Sequence, residues 1–407
     1  MAKKDTVVLA YSGGLDTSIL IKMIQQKYSA KVITVTLDVG QQIDLKEIGE
    51  KAENLGVKKH YSIDAKKEFV TNYVFPAIKA NALYEGKYPL SSALSRPLIA
   101  SKLVEVAERE GATAVAHGCT GKGNDQVRFE VTIKSLAPNL KILAPVREWK
   151  LARDEEIEFA KTSGIPIPVG LHNPYSIDQN LWGRSIECGI LDNPDQEPPE
   201  DIFEWTVSPE KAPEKPEYVT IKFECGVPYA INGKALGPVT LIEKLNEIAG
   251  KHGVGRIDHI EDRLVGIKSR ENYECPAATV LLEAHKDLEK MVLTRHEVLF
   301  KQQIDAKWAF LAYTGLWMDP LREDLEAFIN KTQKRVCGEV KVKMYKGGIQ
   351  VVGRSSPMAL YDLNLVNYGA ETTFDQSWSS GFIELWGLQT KMSNVLKKKG
   401  KANAEGS

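Results

Sequence analysis

From Thr6 to about Pro168, short β-branched and aliphatic runs alternate with segments whose apolar positions recur at helical spacing. Residues 6–10, 31–37, 60–63, 113–116 and 142–145 are expected as strands. Between them Ile19, Leu20, Met23 and Ile24 mark one helix face, and Leu98, Ile99, Leu103, Val106 and Ala107 mark another. Ser95 is placed to cap the second helix, and Gly111 to end it. Strands that alternate with helices need crossover connections, so the sheet should be parallel, doubly wound and covered on both faces. Ligands on such sheets sit at the carboxyl ends of the strands.

A different pattern begins near Gly170. Residues 194–216 hold six of the nineteen prolines and read as an extended connector. Residues 218–223 and 227–231 read as paired strands, 241–249 as a helix, 256–268 as one further strand and 277–334 as helical. Val340, Val342 and Met344 alternate with Lys341 and Lys343 before the turn Lys346-Gly347-Gly348, which predicts an antiparallel hairpin. From Gly381 onward Ile383, Leu385, Leu388, Met392, Val395 and Leu396 line one face of a helix that ends in Lys397, Lys398, Lys399 and Lys401. The predicted fold class is α/β, a doubly wound parallel sheet (1–169) followed by an α+β domain (170–375) and a helical arm (376–407) suited to docking on a partner subunit.

Composition narrows the chemistry. The 407 residues suffice for two to three domains. Lys plus Arg number 53 and Asp plus Glu 54, so the net charge of -1 gives no bulk attraction to nucleic acid or an anionic membrane. No apolar run reaches the length of about eighteen residues that a membrane-spanning helix needs. The five cysteines are far apart, with no C-x-x-C pair, which fits neither a disulfide framework nor a zinc site. With no leader-like segment at the N-terminus, reduced thiols and a cytoplasmic setting are the expectation.

The strongest chemical signal is Ser12-Gly13-Gly14-Leu15-Asp16-Thr17-Ser18, between the first strand and a helix starting near Thr17. Adjacent glycines let backbone approach a phosphate, and the free N–H groups of a first helical turn face an anion. Ser-Gly-Gly-x-Asp arises by chance on the order of 0.01 times in a chain of this length. Neither a Walker A motif nor G-x-G-x-x-G is present, which argues against kinase-like or dehydrogenase chemistry. A carboxylate such as Asp16 beside a polyphosphate calls for a bridging cation, with Mg²⁺ the natural choice, or for bonds to the loop's own N–H groups. A second glycine-rich stretch, His117 to Arg128, follows the apolar run Ala114-Val115-Ala116. Its Lys122 suits phosphate charge, and Arg128 suits bidentate grip of a carboxylate.

The first loop resembles the pyrophosphate-binding motif of the ATP pyrophosphatases. Together with 117–129, 249–258 (A-G-K-H-G-V-G-R-I-D) and 266–273 it is similar to the argininosuccinate synthase family, from about Val7 to Phe382. That resemblance implies an adenine nucleotide alpha hydrolase-like nucleotide domain, a synthetase domain and a C-terminal arm, assembled as a cytoplasmic homotetramer. It also implies ligation of citrulline and aspartate to argininosuccinate in arginine biosynthesis, with ATP split to AMP and diphosphate through a citrulline adenylate. ATP would be held by Ala10, Tyr11, Ser12, Gly13, Gly14, Leu15, Asp16, Thr17, Ser18, Leu37 and Gly118. Citrulline would meet Tyr88, Ala93, Asn124, Arg128, Ser176, Ser185, Glu261 and Tyr273; aspartate would meet Thr120, Asn124 and Asp125. Ala93 stands where the family has a serine, so that contact passes through backbone at Ala93 or through the hydroxyl of Ser92.

In this reading Asp16 and Lys122 serve the departing pyrophosphate, and either Asp125 or a phosphate oxygen takes the proton of the attacking amine. No enzyme nucleophile is needed, in keeping with the scattered cysteines. Two rivals share the first loop. A tRNA-modifying ATP pyrophosphatase needs a positioned cysteine and a basic face, and a non-catalytic nucleotide sensor has no use for the second loop.

Overall fold

The computed structural model describes residues 5–149, 153–166, 174–369 and 372–405. Residues up to Met358 form one compact unit and Ala359–Ser407 a second. The division expected between 169 and 170 lies outside the described residues.

Strands β1 (Thr6–Ala10), β2 (Lys31–Asp38), β3 (Lys59–Asp64), β4 (Ala114–Ala116) and β5 (Lys141–Leu143) form a parallel sheet in the order β3-β2-β1-β4-β5. Alternation with both faces apolar explains the layers. Val7 and Leu9 join the core of the helix Leu15–Lys27, packing with Ile19, Leu20, Met23 and Ile24. Val8 joins the opposite core, with Val115 and with Leu94, Leu98 and Leu103 of the helix Ser91–Glu110. The chain leaves β1 toward β2 on one side and returns through β4 on the other, so the loops after β1 and β4 diverge and open a crevice between them.

Two local expectations are corrected here. The first helix begins at Leu15, ahead of Thr17. Ser95 is not a cap: the helix starts at Ser91 after Leu90 in a left-handed conformation (φ 67°), and the buried Ser95 hydroxyl donates back to Ser92 O at 3.0 Å. Gly111 ends that helix as expected.

Beyond the first sheet lie β6 (Ser176–Asn180), β7 (Gly183–Glu187), β8 (Glu217–Glu224), β9 (Val227–Ile231), β10 (Lys234–Ala235), β11 (Arg256–Asp262), β12 (Lys268–Glu274), β13 (Gly338–Tyr345) and β14 (Gly348–Ser355). They form two antiparallel sheets, β10-β9-β8-β13-β14 and β11-β12-β7-β6. The single strand expected over 256–268 is one strand of a hairpin that turns at Arg263–Ile267. Helices Pro276–Val292, Arg295–Tyr313 and Pro320–Gln333 lie between the last two hairpins in sequence, the second opened by a Thr294/Glu297 capping box.

The proline-rich stretch is no free connector. Ile202, Thr206, Ser208 and Ala212 are buried. The buried Glu274 carboxylate accepts from the N–H groups of Glu204, Trp205 and Thr206 at 2.8–3.0 Å, from the Thr206 hydroxyl at 2.8 Å and from Arg184 Nη1 at 2.9 Å. Five donors on one carboxylate fix the course of the segment. In the second unit the helix Trp378–Glu405 exposes Phe382, Ile383, Leu385, Trp386, Leu388, Met392, Val395 and Leu396.

Candidate functional site

The loop after β1 is held by its own hydroxyls. Ser18 Oγ donates to Gly14 O at 2.8 Å, Thr17 Oγ1 to the same carbonyl at 3.3 Å, and Ser12 Oγ lies 3.1 Å from Thr17 Oγ1. Gly13 has φ +79°, and a Cβ there would come within 2.9 Å of Ile48 Cγ1, so both conformation and space require glycine. The loop after β4 lies close by: a Cβ on Gly118 would sit 3.3 Å from Leu20 Cδ1 and 3.6 Å from Thr17 Cγ2.

A cavity of about 480 Å³ lies between these loops. Ala10, Tyr11, Ser12, Gly14, Leu15, Asp16, Thr17, Leu37 and Gly118 all stand on its wall, together with the apolar Val39 and Ile43 near the end of β2. Gly13 and the buried Ser18 support the loop from behind that wall. A second cavity of about 320 Å³ is lined by Tyr88, Ser92, Thr120, Asn124, Arg128, Ser176, Ser185, Glu261 and Tyr273. Gly118, Cys119, Asp125 and Asp178 line both. The register of the sheet β11-β12-β7-β6 builds this second wall, pairing Tyr273 with Ser185 and Ser185 with Asp178.

Three expected residues are placed differently. Lys122 is exposed and stands on neither wall. Ala93 is buried within its helix, while Ser92, one position earlier, reaches the second cavity and donates to Asp178 at 2.5 Å. Arg128 is not an open fork: Nε donates to Tyr313 O at 2.9 Å and Nη1 to Asp125 Oδ1 at 2.8 Å, leaving Nη2 without a hydrogen bond among the described residues.

Residues that the sequence did not single out complete the site. The buried Glu261 carboxylate accepts from Tyr273 OH and Tyr313 OH, each at 2.7 Å. Asn124 Nδ2 donates to Tyr313 OH at 2.8 Å, and Asn124 Oδ1 accepts from Leu264 N at 2.8 Å. Tyr84 stacks on Tyr313 and Tyr88 on Tyr273. Gly315, at φ +77°, lets the chain after Tyr313 pass Arg128, whose Cα would lie 2.9 Å from an added Cβ. Arg96 bridges Asp125 (2.8 Å) and Asp178 (2.6 Å).

The electrostatics follow from burial and pairing. Burial opposes the charge of Asp125, but the guanidinium groups of Arg96 and Arg128 outweigh it and hold the carboxyl down to about 2. Burial, helped by Glu187, pushes Glu271 up to about 8, although Arg263 bridges the two carboxylates. Burial raises the phenols of Tyr88, Tyr273 and Tyr313, so they remain hydrogen-bond donors at neutral pH. The arrangement thus offers a glycine-rich anion cradle beside a cation- and carboxylate-lined pocket, and the one thiol on the shared wall is not activated, since burial raises Cys119.

Residues 6–166 match the family model of the arginosuccinate synthase N-terminal HUP domain, and 175–393 that of the arginosuccinate synthase C-terminal domain. The argininosuccinate synthase of Pyrococcus furiosus is 61% identical over 96% of this chain and 95% of its own length. That of Methanocaldococcus jannaschii is 60% identical over 96% and 98%. A solved structure of a U34-tRNA thiolase from Methanococcus maripaludis is similar over 42% of this chain and 61% of its own, at 16% identity and a TM-score of 0.27, too low to bear on fold or function.

Proposed function

The chain belongs to the argininosuccinate synthase family, and we propose that it joins citrulline to aspartate, using ATP, by way of a citrulline adenylate. The observation that carries this reading is the common wall of the two cavities, formed by Gly118, Cys119, Asp125 and Asp178 at the switch point of the sheet. A nucleotide in the larger cavity and an amino acid in the smaller would meet across that wall.

In the larger cavity the loop from Ala10 to Ser18 holds the phosphates, and the apolar residues Leu37, Val39 and Ile43 face the base. In the smaller one Glu261, fixed by its two phenols, takes the citrulline ammonium, and Arg128 offers Nη2 to its carboxylate. The ureido oxygen attacks the α-phosphorus. The bond to the β-phosphate breaks, and pyrophosphate leaves with its electron pair toward the Gly14 N–H region and the helix N-terminus. The aspartate amine, held beside Thr120 and Asn124, then attacks the ureido carbon, and AMP leaves with the former ureido oxygen. Asp125, held at about 2 between two arginines, is a poor base, so the amine proton passes to a phosphate oxygen of the adenylate. Positioning dominates over covalent catalysis.

Mg²⁺ fits at Asp16, the exposed carboxylate of the phosphate loop. A cation there would share the Asp16 carboxylate with substrate phosphates, the usual habit of this ion. Bound there, it would neutralise charge on the departing pyrophosphate. Lys122, off the wall, contributes at most to the outer field.

The nucleotide domain is assigned to 1–169, the synthetase domain to 170–375 and the arm to 376–407; the family matches at 6–166 and 175–393 support the first of these two boundaries. The apolar face of the Trp378–Glu405 helix supports a homotetramer in which each arm docks on another copy. The cytoplasm, where ATP and free amino acids are supplied, is the proposed compartment. Incubation with ATP, citrulline and aspartate, omitting each in turn, tests the reaction: AMP and pyrophosphate should accumulate only with the full set in sustained turnover, and ADP as product would overturn it.

A further inference from the structure

The loop 118–123 lines both cavities, and apart from a turn at Gly121–Lys122 no backbone–backbone hydrogen bond among the described residues joins it to another element. Side chains hold it instead. The buried Gln126 donates through Nε2 to the carbonyls of Gly121 at 2.7 Å and Gly123 at 3.2 Å. Its Oε1 accepts from Arg147 Nη1 at 2.8 Å. A flipped amide would set its oxygen against two carbonyls and its NH₂ against a guanidinium, so Arg147 dictates which end faces the loop. Arg147 is itself tethered, with Nη1 2.7 Å from Glu130 Oε1, and His117 Nε2 lies 3.4 Å from the same oxygen. On its other side His117 Nδ1 accepts from Cys119 N at 3.3 Å. The His117 imidazole and the Arg147 guanidinium hold the Glu130 carboxyl down to about 2, below the usual carboxylate range.

We propose that Gln126 is a positioning residue of the reaction, hooking the Gly121 and Gly123 carbonyls back onto the helix Asp125–Leu136, and that the exposed Arg147 acts through it. With those carbonyls held, Gly118 stays on the nucleotide wall and Thr120 on the amino-acid wall. The citrulline anchors Glu261 and Arg128 are held outside this clamp, Glu261 by Tyr273 and Tyr313, and Arg128 by Tyr313 O and Asp125, while Asn124 serves citrulline and aspartate alike. Loosening the loop should therefore weaken ATP and aspartate more than citrulline. The inference rests on the assignment of this loop to ATP and aspartate.

The test uses the full-length protein with Gln126→Met, Arg147→Met and the double variant, read by amide hydrogen exchange and by KM for each substrate. Loss of the two neutral hydrogen bonds to the loop in Gln126→Met, along with the one from Arg147, should speed exchange at 118–123 and raise KM for ATP and aspartate about tenfold, with citrulline within about twofold. Arg147→Met should shift the same quantities less, and should add nothing in the Gln126→Met background. Gln126→Glu should be worse than Gln126→Met, since a charged oxygen then faces two carbonyls. Unchanged loop exchange in Gln126→Met, a uniform rise of all three KM values, or an Arg147→Met effect of equal size in both backgrounds would overturn the proposal. If Gln126→Met does not fold, the surface variant Arg147→Met carries the same exchange and KM readouts. Faster exchange in a protein whose wild type makes ADP would leave the clamp standing and refute the activity, so the two failures are distinguishable.

Discussion

Replacing Tyr313 by Phe removes one oxygen atom from behind the wall of the smaller cavity, where it holds the lining residues Glu261 and Asn124, and leaves almost everything else in place. The ring can keep its stack on Tyr84 and its contact with the Arg128 guanidinium, 4.9 Å from the ring centre. What is lost is the donor to Glu261 Oε1 at 2.7 Å and the acceptor for Asn124 Nδ2 at 2.8 Å. A hydrogen bond to a charged group contributes about 1.5–3 kcal/mol and a neutral one about 0.5–1.5, so the two together are worth about 2–4.5 kcal/mol. Glu261 retains Tyr273 OH, so it should loosen rather than swing away. If half of that energy is expressed in substrate binding, at 1.4 kcal/mol per decade the KM for citrulline rises on the order of tenfold or more. KM for ATP should stay within about twofold, because Glu261 and Asn124, through which Tyr313 acts, line the smaller cavity and not the nucleotide wall. Urea unfolding should show the variant folded but less stable, and steady-state kinetics with each substrate varied in turn gives the KM values. A folded Tyr313→Phe with unchanged citrulline KM would show that Glu261 does not hold this substrate.

Asp16→Asn should cut turnover by about 10²–10³ in a protein that still folds, since its work lies at the developing pyrophosphate charge; near-normal pyrophosphate release would refute that role. Arg128→Lys should raise the citrulline KM about tenfold, because a point charge cannot serve Tyr313 O, Asp125 and a carboxylate at once; an unchanged KM discards the contact. Glu271, raised to about 8 by burial and Glu187, binds a proton in the folded state that the unfolded chain has released above its ordinary value. Its contribution is therefore full at acid pH and fades as pH rises toward about 8, so Glu271→Gln should flatten the wild-type decline in urea midpoint over that window; parallel pH profiles would contradict it. Deleting 381–407 should reduce the particle mass in light scattering below that of a tetramer, and an unchanged mass would remove the docking role of the arm.

The parts visible in the sequence are those whose chemistry is local. Ser12-Gly13-Gly14 and His117-Gly118 carry their meaning within a few residues, because a strand end, a glycine and a helix start already define a phosphate cradle. The parallel sheet was equally readable, since Val7, Val8 and Leu9 are apolar toward both layers. The hairpin of β6 and β7 gave no such signal: Ser-Ile-Asp-Gln-Asn is polar because it lines a cavity rather than a core. Tyr313 was hidden for another reason. It lies in an otherwise ordinary helix, and its role arises only when folding brings it to Asn124, 189 positions away. Arg96 likewise looks like a surface residue beside a proline until Asp125 and Asp178 close on it. The proline-rich stretch misled because Pro content reports extension, while burial of Ile202 and the demand of the Glu274 carboxylate for donors decide packing.

The order of bond making across the shared wall leaves an isotopic signature. With citrulline labelled by ¹⁸O at the ureido oxygen, attack on the α-phosphorus followed by amine displacement carries the label into AMP. Mass spectrometry of the products should find one ¹⁸O in AMP and none in pyrophosphate or argininosuccinate. Label in pyrophosphate, or unlabelled AMP from labelled citrulline, would contradict an adenylate formed between these two cavities.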